Sequence, residues 1–143
     1  MMKIHIGNEI WNKAAAFYVR MSVFVLERNM KLEEEFDEQD RSSLVYVVIY
    51  DNKQPVSTGR YELLDNATIR IGRIATLKEY RGQNLGRTVI QTLEKIGRKK
   101  GCTKAVIHSE QSAASFYKEI GYTTASEEFY ENEVPCVLLK KDL

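Results

Sequence analysis

The sequence contains few cysteines and histidines, and it has no long apolar run. Its two cysteines, Cys102 and Cys136, form no CxxC pair, and its two histidines, His5 and His108, complete no spacing typical of a structural zinc site. We therefore expect no bound metal and two reduced thiols, although one disulfide is compatible with the sequence. No run approaches the length of a membrane span, and the start lacks the apolar core of a signal peptide. The sequence thus predicts a cytoplasmic protein without membrane contact.

A large excess of charge of one sign is also missing. Lysine and arginine number 21 against 20 aspartates and glutamates, which gives a net charge of +1. This near-balance gives no reason to expect binding to nucleic acid. With 143 residues and a hydrophobic fraction of 43%, the chain can bury one sizeable core. We therefore expect residues 1–143 to form a single domain.

The apolar residues alternate between the periods of strands and helices, and turn residues separate these segments. Some predicted strands follow one another through tight turns, whereas others are joined through helices. Such an order is typical of a mixed α/β (α+β) fold, with a mostly antiparallel sheet and helices on both faces. The predicted strands are 3–6, 44–50, 55–63, 68–76, 104–108, 122–125 and 135–140. The predicted helices run from a cap at Asn8 to about Glu27, from Gly86 to about Lys100 and from a cap at Ser112 to Ile120. The acidic run 32–40 is predicted to be a short helix or an ordered loop.

A loop between the predicted strand 68–76 and the next helix has the composition of an anion site. The first N–H groups of a helix have no intrahelical partner, and the helix dipole adds partial positive charge there. A phosphate or diphosphate can bind such groups. Gly82 and Gly86 allow a close approach of the backbone, and Asn84 tolerates the left-handed region. The residues of this loop are Arg81, Gly82, Gln83, Asn84, Leu85, Gly86 and Arg87.

The same loop has other interpretations. It could be an ordinary connection between a strand and a helix, or it could bind the phosphates of a nucleotide. The second alternative is disfavoured because the loop lacks the Gly-Lys-Ser/Thr ending that a P-loop uses for phosphate and magnesium.

The loop can be written Arg81-x-x-Asn84-x-Gly86, and a later segment reads Phe116-Tyr117-x-x-x-Gly121-Tyr122. These patterns resemble the acyl-CoA signature, Arg/Gln-x-x-Gly-x-Gly/Ala, and the Phe-Tyr-x-x-x-Gly-Phe/Tyr element of the GNAT superfamily of N-acetyltransferases. The segments 23–27 and 35–40, Val-Phe-Val-Leu-Glu and Glu-Phe-Asp-Glu-Gln-Asp, are similar to those of its ElaA-like branch. Two residues depart from the family pattern: Asn84 replaces the central glycine, and Cys136 stands where that branch usually has a histidine.

The resemblance implies a GNAT fold and an N-acetyltransferase that uses acetyl-CoA as its cosubstrate. The amine of a small molecule or a peptide would attack the thioester directly in a ternary complex. Main-chain groups of Ile74, Ala75 and Thr76 would bind the pantetheine arm, and a main-chain N–H near Ala75 would polarise the carbonyl. Arg81 and Arg87 would flank the diphosphate bound by the loop. In the family, a tyrosine at the position of Tyr117 often donates a proton to the departing sulfur, which makes Tyr117 the predicted catalytic residue.

Several questions stay open at the level of the sequence. The general base could be Glu62, His108, Glu110 or a water chain. Glu27, Asp37 and Asp40 could attract a cationic amine, or they could belong to a solvated face. Cys136 could face the cleft. A non-catalytic acyl-CoA-binding module is the alternative function, and the closing strands are of a kind that often supports a homodimer in this fold.

Overall fold

The structure is a computed structural model, and it describes residues 1–41 and 43–143. Within these residues, eight strands and four α-helices follow one another; seven of the strands overlap the predicted segments, and the strand at 129–131 was not predicted. The strands are β1 (Met2–Gly7), β2 (Tyr46–Asp51), β3 (Gln54–Leu63), β4 (Thr68–Thr76), β5 (Lys104–Glu110), β6 (Thr123–Thr124), β7 (Phe129–Glu131) and β8 (Val134–Asp142), and the helices are α1 (Ile10–Arg20), α2 (Leu32–Glu35), α3 (Leu85–Lys99) and α4 (Ala114–Glu119).

The strands form one sheet in the order β1-β2-β3-β4-β5-β8-β6, with β7 also paired to β8. Strand β4 pairs with β5 in parallel, whereas the pairs β1/β2, β2/β3, β5/β8, β6/β8 and β7/β8 are antiparallel. The predicted mixed, mostly antiparallel sheet is therefore confirmed. The ladder between β4 and β5 joins 68–70 to 104–106.

By its internal contacts the chain divides into two compact units. The first comprises residues 1–61 and 73–93, and the second comprises residues 62–72 and 94–143. In the first unit, Ala16 of α1 packs with Tyr46 and Val48 of β2 in a buried cluster. In the second unit, β5 lies against β8 from Lys104 to Glu110, and Ala105, Ile107 and Leu139 are almost completely buried. Within the described residues, no helix is long and apolar enough to cross a membrane.

The helix predicted to run to about Glu27 does reach that residue, but it leaves α-helical geometry at Met21 and continues as a π-helical segment, Met21–Glu27. Both cap predictions were wrong. Asn8 does not cap α1, because the cap position is Glu9, and Ser112 does not cap α4, because a 3-10 turn, Gln111–Ala113, precedes that helix. Residues 126–133, for which no strand was predicted, contain β7, so the closing hairpin is β7–β8, and β6 pairs with the far end of β8.

Candidate functional site

The turn before α3 has the backbone shape that an anion site requires. Gly82 has a φ of +83° and Asn84 a φ of +62°, so both lie in the left-handed region. The expectation that Asn84 adopts the conformation of the glycine it replaces is thereby confirmed. The Asn84 carbonyl accepts the backbone N–H of Thr88 at 3.0 Å, which places Asn84 at the helix boundary. The N–H groups of the residues that follow it in the first turn therefore have no acceptor within the helix.

Among the described residues, none occupies the space next to Gly82 where a side chain would begin. A Cβ placed there would meet no atom within 4 Å, and Gly82, Gln83 and Arg87 are all exposed. An accessible turn with main-chain donors, a helix dipole and a flanking arginine fits the diphosphate of coenzyme A.

Arg81, which the sequence predicts beside the diphosphate, has other partners in this structure. Its two Nη atoms each donate to a carboxylate oxygen of Glu27 at 2.7 Å, and its Nε donates to the carbonyl of Thr76 at 3.0 Å. The hydrogen bond from Arg81, together with its charge, lowers the pKa of Glu27. Glu27 is thus held as the counterion of Arg81, which connects the end of the π-helical segment to the end of β4.

A residue outside the sequence motifs forms hydrogen bonds with the end of β4. Ser57 of β3 is fully buried, and its hydroxyl donates to the carbonyl of Ala75 at 3.1 Å and lies 2.9 Å from the hydroxyl of Thr76. Ala75 is itself buried, whereas Ile74 and Thr76 are half-buried. A buried serine within a strand was the available signal, but such a serine is common and gives no indication of its partner.

Strand β4 contains a backbone irregularity directly before these residues. Arg73 has a φ of +53°, which is rare for a bulky side chain and indicates local strain. Its Nη2 donates to Asp37 at 3.0 Å, and its Nε, 3.6 Å from Glu35, has no hydrogen-bond partner among the described residues.

Part of the acidic run forms an ionic cluster with buried members, Glu35 and Asp40, whereas Glu33 and Glu38 of the same run are exposed. Asp40 accepts both Nη groups of Arg20 at 2.9 Å, and it also accepts Arg60 and the hydroxyl of Tyr46 at 2.7 Å. Glu35 accepts the Nε of Arg20 at 2.8 Å. Three carboxylates face three arginines: Glu35, Asp37 and Asp40 against Arg20, Arg60 and Arg73. The hypothesis that Asp37 and Asp40 attract a cationic amine is not supported, since arginines already neutralise them.

Tyr117 lies on α4 in the second unit. Its ring contacts those of Phe116 and Tyr122, with centroids at 5.2 and 6.3 Å. Burial raises the pKa of Tyr117 to about 12, and the charge of Glu110 adds to the shift. The phenol is therefore fully protonated at neutral pH and is a hydrogen-bond donor there.

His108, one of the candidate bases, is exposed. Its Nδ1 lies 3.0 Å from Nη2 of Arg70, which in turn pairs with Glu62 at 3.4 Å. Desolvation and the charge of Arg70 lower the pKa of His108, so the ring is neutral at pH 7. Because an arginine can only donate, Nδ1 is the acceptor and Nε2 carries the proton. Nδ1 also lies 3.5 Å from a carboxylate oxygen of Glu131, so this nitrogen is in contact with two charged side chains.

The two cysteines are free thiols, and both are buried. Burial, with the charges of Glu131 and Glu110, raises the pKa of the Cys136 thiol, which disfavours the nucleophilic thiolate. Among residues 1–41 and 43–143, no group of three histidine, cysteine, aspartate or glutamate side chains is arranged to hold a metal ion.

This chain is similar to known acetyltransferases over most of its length. Residues 8–122 match the profile of the acetyltransferase (GNAT) family. The N-acetyltransferase YjcF of Bacillus subtilis, itself uncharacterised, is 37% identical over 128 residues, which cover 89% of this chain and 90% of YjcF. A crystal structure of a protein from Lactobacillus plantarum is 35% identical and covers 99% of this chain and 98% of its own, with a TM-score of 0.94.

Two more distant structures share the fold. ElaA of Escherichia coli is 19% identical, and the match covers 99% of both chains with a TM-score of 0.84. The PaiA N-acetyltransferase of Thermoplasma acidophilum, solved in complex with coenzyme A, is 15% identical, and the match covers 99% of both chains with a TM-score of 0.71. The fold predicted from the sequence is thereby confirmed. The profile match and the closely similar relatives show that this chain belongs to the GNAT family of acetyltransferases.

Proposed function

We propose that this protein transfers the acetyl group of acetyl-CoA to a primary amine by direct attack in a ternary complex. The observation that carries this proposal is the turn at residues 81–87, in which Gly82 and Asn84 both have positive φ and leave the start of α3 accessible. The acceptor class is the amine of a small molecule or a peptide.

The turn and β4 bind the cosubstrate. The N–H groups at the start of α3 hold the diphosphate, and Arg87 supplies an exposed guanidinium beside them. Main-chain groups of Ile74, Ala75 and Thr76 hold the pantetheine arm, and Ser57 keeps that segment in place through the Ala75 carbonyl. Arg81 reaches the diphosphate by releasing Glu27, its partner in this structure.

Tyr117 stabilises the departing sulfur. When bound, acetyl-CoA supplies an activated thioester whose leaving group is a thiol with a reference pKa of about 8.5. With its own pKa raised to about 12, Tyr117 is the weaker acid, so it acts by donating a hydrogen bond and does not give up its proton completely. Its contacts with Phe116 and Tyr122 restrict the orientation of its ring.

The attacking amine reacts without an acyl-enzyme. The buried Cys136 has a raised pKa and is a poor nucleophile at neutral pH. An amine with a reference pKa of about 10.4 must lose a proton before it attacks. Of the proton acceptors that the sequence offers, His108 and Glu62 are both engaged with Arg70. We therefore propose that a chain of water molecules leading to bulk solvent accepts this proton.

The test is acetyl-CoA turnover against a broad panel of amines, combined with calorimetric titration of coenzyme A. For Tyr117→Phe we expect turnover to fall about 10–100-fold while the Kd for coenzyme A changes less than about twofold. Phe116→Leu, a change on the same helix that leaves the phenol in place, is the matched control. Coenzyme A binding without turnover of any amine would instead favour the non-catalytic module, and no binding at all would refute both functions.

A further inference from the structure

The first unit contains a pocket that shares no residue with the site described above. It lies between β1, α1 and the turn that joins β2 to β3, and its volume is about 760 Å³. Cavities of about 300–1,000 Å³ are typical of sites for small molecules. Four rings line it: His5, Trp11, Tyr18 and Tyr50. Trp11 and Tyr18 are 56% and 49% exposed, so a ligand could cover a large apolar area there.

The walls of this pocket are held by specific contacts. The centroid of the Trp11 ring lies 4.6 Å from that of His5 and 6.4 Å from that of Tyr50. Nε2 of His5 lies 3.0 Å from the carboxylate of Glu9. The Tyr50 hydroxyl donates to the side-chain oxygen of the fully buried Asn12 at 2.7 Å. Aromatic walls fixed in this way need little reordering when a ligand binds.

The charge of the lining selects among the possible occupants. Lys3 and Lys53 line the pocket, and no aspartate or glutamate among the described residues does. Glu9, which is outside the lining, pairs with the lining residue His5 at 3.0 Å. The nearby Asp51 is engaged by the N-terminal ammonium at 3.7 Å and by the hydroxyl of Tyr80 at 2.9 Å. A second copy of the chain placed symmetrically on this face would bring lysines toward lysines, which is unfavourable. A ligand that is apolar, flat and negatively charged complements both the rings and the lysines.

We propose that this pocket binds a flat aromatic anion, such as an aryl carboxylate. The rings of Trp11 and Tyr18 supply the apolar contact, and the ammonium groups of Lys3 and Lys53 select the negative charge. This site is separate from acetyl transfer, and its occupation does not depend on acetyl-CoA.

The test uses the fact that Trp11 is the only tryptophan in the chain. Intrinsic fluorescence excited at wavelengths that the ligand does not absorb reports on this pocket directly. The probes are biphenyl-4-acetate and its neutral counterpart, biphenyl-4-acetamide. We expect a saturable change in emission with both, and a Kd at least about fivefold lower for the carboxylate. In the double variant Lys3→Gln/Lys53→Gln, the two probes should bind within about twofold of each other.

Lys99→Gln/Lys100→Gln, which removes two exposed charges at the end of α3, is the matched control and should keep the preference for the anion. Tyr18→Ala should weaken binding of both probes. Three results would overturn the proposal: no saturation with either probe up to millimolar concentration, equal affinity for the two probes in the unmodified protein, or a dimer in sedimentation that Trp11→Lys dissociates. Since none of these measurements uses turnover, they leave the proposed acetyl transfer untouched.

Discussion

Asp40→Asn should remove much of the stability of this protein, because Asp40 is the most heavily used acceptor of the buried ionic cluster. Its carboxylate accepts Arg20 through two bonds of 2.9 Å, and it accepts Arg60 and Tyr46 at 2.7 Å each. Asparagine keeps the shape but leaves two buried guanidinium groups with less negative charge. Removing one partner of a buried ion pair costs about 3–5 kcal/mol, because the other charge stays desolvated and uncompensated.

The assay is equilibrium unfolding in urea at pH 7, followed by circular dichroism. A loss of about 3–5 kcal/mol corresponds to a decrease in Tm of about 10–15 °C for a chain of this size. The matched control is Glu38→Gln in the same acidic run. Glu38 pairs with Arg41 at 3.5 Å, and both side chains are 82% exposed, so this change should cost about 0.5 kcal/mol or less.

The pH dependence supplies a second check of the same reasoning. Burial alone would raise the pKa of Asp40, but the hydrogen bonds from Arg20 and Tyr46 and the charges of Arg20 and Arg60 outweigh it and lower the pKa well below the ordinary value. An acid with a lowered pKa in the folded state stabilises the fold above its unfolded pKa of about 3.9, and this contribution is lost as the pH falls toward the folded pKa. The difference in unfolding free energy between the unmodified protein and Asp40→Asn should therefore shrink below about pH 4. A difference under about 1 kcal/mol at pH 7, or one that stays constant down to pH 3, would refute the electrostatic reasoning.

Three further predictions concern the candidate site. Asn84→Gly should keep both the stability of the protein and its affinity for coenzyme A. Asn84→Ala should lower the free energy of unfolding in urea by about 1–2 kcal/mol, because alanine is strained at this positive φ. Equal stability of the two variants would contradict this prediction. Glu27→Gln should lower the Kd for coenzyme A in calorimetry severalfold, because it frees Arg81 from a competing carboxylate, and a weaker affinity would show that the pair preorganises the site. His108→Gln should keep kcat within about threefold, because the ring nitrogen that could act as a base already accepts a hydrogen bond from Arg70. A loss of about 100-fold in kcat would instead identify His108 as the base.

The sequence predicts the turn and the strands well because these features are encoded locally. A glycine and an asparagine two residues apart, directly before a helix, leave few alternatives to a turn with positive φ, and both Gly82 and Asn84 adopt it. The strand bounds likewise follow from runs of apolar residues between turn residues. The change at Met21 from α-helical to π-helical geometry was harder to predict from the sequence. The apolar residues of the segment Met21–Glu27 fit the period of an α-helix and that of a π-helix nearly equally well.

The ionic cluster and the support of β4 could not be read from the sequence, because their partners lie far apart along the chain. Arg73 pairs with Asp37, which is 36 residues away, and Ser57 contacts Ala75 across 18 residues. A run of acids gives no indication of which arginines it will meet. A solvated face, one of the two interpretations of this run, does not describe Glu35 and Asp40, because three separate elements each place an arginine opposite the run.

The opposite charges of this ionic cluster compensate one another, which bears on how the acceptor amine is selected. Its three carboxylates and three arginines sum to zero, so it supplies little field to attract a cationic amine. It does tie the acidic run to Arg73, the strained residue that directly precedes the segment proposed to hold the pantetheine arm. The cluster therefore acts on the candidate site by fixing the backbone of β4. Selectivity for the acceptor must come from groups other than Asp37 and Asp40, whose charge is already compensated.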